Sequence, residues 1–340
     1  MHKPFYYHAL RWCTLSTLLV AACSREKSFQ IPENKGVGAE LASSGGLCTG
    51  VVVQGVFGQG LALDSSNKLV LQVQIPSAGS YSIQSDTVSG VWFRGSFTAS
   101  GSGAALIQVP GFGTPSAGGL FNFTLRSGQS SCRQSVTVLT LAVGKGNSFF
   151  PMTAGSWWTY QSSDPLASPS DTFRQTATAV TRQFIATGPG YTEFLERYTP
   201  TFTDTSFYRQ TGPDFATYAD MDIAGAGDAP VPADYIFLRE NGTLAAEWQS
   251  GEATSTVGGT AVKFRLKYKI IERDSTAFVG GMIFRPTIKV RVTQQVQLTP
   301  LANFTDLLSY EAWYARGIGL INIAAPAPYY GYRLQAFKVN

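Results

Sequence analysis

The sequence predicts an all-β protein, and three observations carry that prediction. Between Cys48 and Val143, seven short apolar-alternating segments are separated by Gly, Pro, Ser and Asn at intervals of roughly ten residues. After Phe149 the segments lengthen but keep the two-residue period of a strand with one buried face. No stretch after residue 30 carries the 3.6-residue apolar period of an amphipathic helix.

In chain order, residues 1–22 read as a signal peptide. Lys3 and Arg11 give a cationic start, and Trp12 to Ala22 is an apolar run of eleven residues. A helix of that length falls short of the roughly 20 residues needed to cross a bilayer. The run ends Val20-Ala21-Ala22-Cys23, with small residues placed for a signal peptidase. These four residues resemble the lipobox of bacterial lipoproteins. The resemblance implies that Cys23 is acylated and becomes the mature N-terminus, so that the chain meets a membrane through its lipid. Two or three acyl chains suffice for stable anchoring, since each buried methylene contributes about 0.8 kcal/mol. Ser24 rather than Asp follows the cysteine, which by the same resemblance implies the outer membrane of the cell envelope.

Residues 23–46 are polar and rich in Gly and Ser, and read as a flexible lipidated tether. Residues 47–143 hold the seven short segments. The clearest is Lys68 to Ile75, with Leu69, Leu71, Val73 and Ile75 on one face. That number and spacing predict an immunoglobulin-like β-sandwich. Tyr81, in Gly79-Ser80-Tyr81, then serves as a structural hydroxyl of the kind found at the corners of such sandwiches. The succession of CTG at 48–50, NKLVLQV at 67–73, AGSYSI at 78–83 and SSCRQSVTV at 130–138 resembles an immunoglobulin-like module of Gram-negative surface lipoproteins. The resemblance implies a spacer or adhesive role. Cys48 and Cys132 stand near the module's two ends; in an exported chain such a pair reads as a disulfide.

Gly144 to Ser148 reads as a short hinge into a second region, residues 149–340, predicted to be a larger antiparallel curved sheet or half-barrel. Pro151, Gly155, Trp158 and Tyr160 resemble the opening of β-rich lipoprotein domains of unknown function. Val262 to Lys269 alternates apolar residues at even positions with cations at odd ones. Glu240-Asn241-Gly242-Thr243 reads as a hairpin turn.

Composition excludes several chemistries. Both histidines, His2 and His8, lie in the segment to be removed, which leaves no histidine for acid–base work, a Ser-His-Asp triad or a zinc site. The net charge of +4 falls to about +2 once Lys3 and Arg11 are gone, and no basic run is interleaved with aromatics, so no nucleic-acid partner is expected. The Gly-rich stretches lack the register of a phosphate loop, and no cofactor is expected.

Candidates for a binding role remain. Trp157, Trp158, Trp313 and Tyr314 are adjacent aromatic pairs on predicted strands, so one of each pair faces outward and can stack on a sugar or enter a protein interface. Asp220, Asp222 and Asp228 are a weak calcium candidate; their spacing departs from the EF-hand loop, and a solvated acidic loop is the favoured reading. Glu193, Glu196, Glu247 and Glu252 are the carboxylates open to histidine-free glycoside chemistry. The expected function is a non-enzymatic, membrane-anchored lipoprotein whose second region binds a protein, glycan or lipid. A carboxylate-dependent glycan-active enzyme is the alternative.

Overall fold

A computed structural model describes residues 38–198, 202–298 and 303–340. The signal segment, Cys23 and most of the tether lie outside the described residues. Those that are described form 24 strands in two sheets and no helix.

The first sheet comprises β1 (Glu40–Leu41), β2 (Ser43–Ser44), β3 (Leu47–Cys48), β4 (Val51–Gln54), β5 (Lys68–Ile75), β6 (Gly79–Ser85), β7 (Val91–Ala99), β8 (Gly103–Gly113), β9 (Gly119–Ser127) and β10 (Ser130–Val138). Leu69, Leu71, Val73 and Ile75 are buried, as their alternation requires. They pack with Phe93, which meets Phe123 edge-on at 5.0 Å. The ten strands follow one hydrogen-bonded path, β1-β5-β8-β7-β6-β9-β10-β3-β2, with β4 paired to β5. An immunoglobulin sandwich has two separate sheets. Here short ladders carry the bonding round both corners: Val91–Phe93 on Gly111–Gly113, and Gln84–Ser85 on Leu125–Arg126. Cys48 and Cys132 are disulfide-bonded, with Cα atoms 4.9 Å apart. They join the neighbouring strands β3 and β10 rather than two facing sheets. The Tyr81 hydroxyl donates to the Ser77 carbonyl at 2.6 Å.

Two flexible segments of the sequence reading are corrected. The tether was expected to run to residue 46, yet Ala39 and Leu41 are buried and β1 pairs with β5. Gly38 allows this, because a Cβ there would lie 2.1 Å from the Ser127 carbonyl oxygen. The Gly144–Ser148 hinge is fastened at both ends: Lys145 N donates to Gly317 O at 2.9 Å, and Gly317 N to Ser148 O at 2.7 Å. A Cβ on Gly144 would lie 2.2 Å from Gly317 O. In both places glycine marks a close backbone approach rather than freedom.

The second sheet comprises β11 (Thr140–Leu141), β12 (Trp157–Ser162), β13 (Thr172–Arg182), β14 (Tyr191–Tyr198), β15 (Phe202–Thr211), β16 (Asp214–Asp220), β17 (Pro232–Arg239), β18 (Glu247–Gln249), β19 (Ala253–Val257), β20 (Thr260–Val279), β21 (Met282–Leu298), β22 (Thr305–Ala315), β23 (Gly319–Ala324) and β24 (Tyr332–Lys338). Its main path is β17-β16-β15-β14-β13-β12-β24-β23-β22-β21-β20-β18. The even positions of Val262–Tyr268 are buried and the odd ones partly exposed, as their pattern predicts. The sheet curls until its edge strands β17 and β18 face each other across a seam. No ladder joins them; the Trp248 indole donates to Ile236 O at 2.9 Å and Asp228 N to Thr256 O at 2.7 Å. The expected hairpin at Glu240–Thr243 is instead a turn that crosses this seam, since β17 pairs with β16 and β18 with β20.

Aromatic rings fill the space the sheet encloses. Phe150, from the segment before β12, contacts Phe194, Tyr208, Phe215, Phe237 and Tyr314. The gap lined by Phe150, Trp158, Tyr160 and Phe194 admits no water molecule.

Two connections set the long axis. Gly38 lies against the β9–β10 turn, while Leu139, at the other end of β10, leads into β11. A nine-residue strand such as β10 spans about 27 Å. β11 pairs with Met282–Ile283 at the start of β21, the same end of the second sheet that holds Phe150. The loops after β12, β16 and β23 lie at the opposite, distal end.

Candidate functional site

The four aromatics singled out in the sequence do not converge. Trp158 is buried, donates from its indole nitrogen to Ile318 O at 2.5 Å and stacks on Phe194. Tyr314 is buried beside Phe150 and Phe237. Both are core residues, which corrects their reading as ligand contacts. Trp157 and Trp313 do face outward, as strand alternation demands, but each carries a cation on its ring. The Arg174 guanidinium carbon lies 4.0 Å from the Trp157 centroid, and Lys289 Nζ lies 4.1 Å from that of Trp313. Two strands, β24 and β23, separate them.

The acidic loop is also corrected. Asp222 is buried and accepts from Gln294 Nε2 at 2.7 Å and Gly227 N at 2.5 Å. Asp220 accepts from Asp222 N and Val231 N. Asp228 accepts from Gly258 N and Gly259 N across the seam, and these bonds, with one to Thr256, hold its carboxyl below the usual range. The three carboxylates fasten the β16–β17 loop over the seam. Among the described residues no group of three His, Cys, Asp or Glu side chains is placed to hold a metal ion.

Of the four glutamates, three are paired with cations. Glu193 meets Arg182, Glu247 meets Lys267 and Lys269, and Glu252 meets Lys263. Glu196 differs. On β14 it shares the inward face with Phe194 and Tyr198, and its ladder partners are Gln175 and Asp204. One carboxylate oxygen accepts from Gln175 Nε2 at 2.9 Å and Ser206 Oγ at 2.8 Å; the other accepts from Tyr198 OH at 2.9 Å. A stack of rings leads outward from the core past this group. Tyr160 stacks on Phe173 at 5.0 Å, Phe173 stacks on Tyr198 at 5.0 Å, and Tyr332 meets Phe173 edge-on at 4.8 Å. Tyr198, Tyr332 and Phe173 line a distal cleft of about 400 Å³, together with Ser162, Asp164 and Asp171.

Burial raises the phenols around this stack. Tyr160 and Tyr198 are pushed up by desolvation and secondarily by neighbouring groups, including the Glu196 charge; Tyr208 is pushed up to about 12, chiefly by burial. The folded state thus holds phenol protons that the unfolded chain releases near pH 10. These groups contribute their full share of stability below pH 10, and it is lost as pH rises toward the folded values. Alkaline titration is expected to give a cooperative rise in phenolate absorbance above pH 10 that coincides with loss of β-sheet circular dichroism. Ionisation of the buried phenols with the β-sheet signal unchanged would contradict this.

No family model matches the chain, and no curated protein matches it. Two solved structures resemble part of it. One, from Parabacteroides distasonis ATCC 8503, is described as a candidate lipoprotein; it shares 13% identity over 57% of this chain and 100% of its own, with a TM-score of 0.36. The other, from Bacteroides fragilis NCTC 9343, is described as a candidate exported protein with a YmcC-like fold; it shares 10% identity over the same fractions, with a TM-score of 0.34.

Glu196, a candidate in the sequence, does not line the distal cleft itself but holds the hydroxyl of its lining residue Tyr198. A signal for Tyr198 was present: Phe194, Glu196 and Tyr198 alternate with Glu193, Leu195 and Arg197, so a carboxylate falls on the apolar row between two aromatics.

Proposed function

We propose that the chain is an exported lipoprotein of the cell envelope, anchored at the outer membrane through acylated Cys23 and non-enzymatic. The first sheet is a spacer, and the second sheet presents its distal end to a partner. The observation that carries this reading is the placement of the two ends. The chain enters at the β9–β10 turn, leaves at the far end of β10, and meets the second sheet at the end opposite the cleft. A lipid before Gly38 would thus lie beyond one end of the first sheet, and a ligand at Tyr198 at the far end of the second. Fastening of the expected hinge supports a rigid spacer. Glu196 supports binding over catalysis, because both its oxygens are already committed to fixed donors. The lipobox residues supply the anchor.

Radiolabelled palmitate supplied to expressing cells tests the anchor. The wild-type chain is expected to incorporate label and fractionate with membranes, and Cys23→Ala to lose both. Unchanged labelling of Cys23→Ala would rule out this attachment point.

A further inference from the structure

We infer that the distal cleft is a binding site for a neutral glycan, an assignment that rests on the reading of this end as the partner-facing one. Four observations lead to it. The first is a preformed aromatic platform. Tyr198 is held by its stack on Phe173 and by its hydroxyl bond to Glu196, and Tyr332 is set edge-on to the same Phe173. Rings fixed in this way offer contact area to the C–H face of a sugar at little entropic cost.

The second is the polar rim. Asp164 and Asp171 each accept one backbone N–H from their own loop, Leu166 N at 2.8 Å and Ser168 N at 2.7 Å, and retain acceptor capacity. With Ser162 they offer sites for hydroxyl donors beside an aromatic wall.

The third is charge. Residues 163–171 contain no Lys or Arg, and neither do the distal loops 221–231 and 325–331. An anionic sugar would find no cation in these loops and would face Asp164 and Asp171. The fourth is size. A cleft of about 400 Å³ lies within the range of small-ligand sites, toward its lower end.

Saturation-transfer NMR on the purified full chain tests the assignment, with chitohexaose and laminarihexaose as neutral probes, hexagalacturonate as an anionic probe and spermine as a cationic one. At least one neutral probe is expected to be saturated. Tyr198→Ala and Tyr332→Ala are each expected to weaken that probe roughly tenfold, the loss of one good contact. Tyr198→Phe keeps the ring stack and is expected to retain binding. Asp171→Asn leaves the platform untouched and is expected to weaken binding roughly fivefold. Trp157→Ala, on the outer wall, is expected to change nothing. The site is overturned if neither neutral probe is saturated, if spermine or hexagalacturonate is preferred, or if Tyr332→Ala and Asp171→Asn both bind as wild type. Palmitate labelling is read separately, so a failed glycan site leaves the anchored spacer standing.

Discussion

Replacing Phe150 with alanine is expected to destabilise the second sheet by about 3–5 kcal/mol, the range for deleting a buried aromatic ring. The residue is 6% exposed. Its ring touches Tyr208 and Phe237 at centroid distances of 4.9 and 5.0 Å, with Phe194, Phe215 and Tyr314 within 6.4 Å. Those partners come from β14, β15, β16, β17 and β22, so one side chain joins strands from both halves of the curled sheet. The seam between β17 and β18 has no ladder, which makes the shared core the main restraint on curling. Guanidinium unfolding checks the value. Hydrogen exchange is expected to show the loss in β14–β17 and β22 while β5 and β9 keep their protection. A cost below about 1 kcal/mol would mean that the remaining rings close over the vacancy.

The Cys48→Ser, Cys132→Ser double variant is expected to lose about 4–5 kcal/mol, the chain-entropy value for opening a loop of 84 residues. The loss should fall on the first sheet alone, because the bond links β3 to β10 within it. Hydrogen exchange on β5, β9 and β10 measures it, with β20 and β21 as internal controls. Equal loss in both sheets would show that they unfold as one unit. The first sheet depends on this bond because it has a single modest core and edge strands of only two residues at β1 and β2.

The all-β class was legible in the sequence because strand alternation is a local signal. Leu69 to Ile75 and Val262 to Tyr268 bury the faces their patterns assign. Pairing was less legible. Glu240–Thr243 has hairpin chemistry, yet the strands on either side pair elsewhere, because a curled sheet can cross its own seam through a tight turn. Glycine misled in the same way at Gly38 and Gly144, where composition suggests slack but the missing Cβ permits contact. The aromatic pairs were right in their alternation. What alternation cannot tell is that an outward-facing indole is covered by Arg174 or Lys289, which lie on neighbouring strands. Glu196 was visible as a carboxylate, but its setting depends on Gln175 and Ser206, 21 and 10 residues away along the chain.

The position of the disulfide bears on how the molecule carries mechanical load. Tension on the N-terminus arrives at Gly38 and first meets β1, whose two residues pair with β5, and then the short β2–β3 hairpin. These elements can peel one hydrogen bond at a time. Peeling stops at Cys48, where the force passes through a covalent bond to Cys132, the third residue of β10. From there it runs along β10 toward Leu139 and β11, loading the β9–β10 ladder in shear, with all its bonds strained together. A pull at the tether therefore costs the fold at most the ten residues from Gly38 to Leu47, and the cleft at the far end keeps its shape.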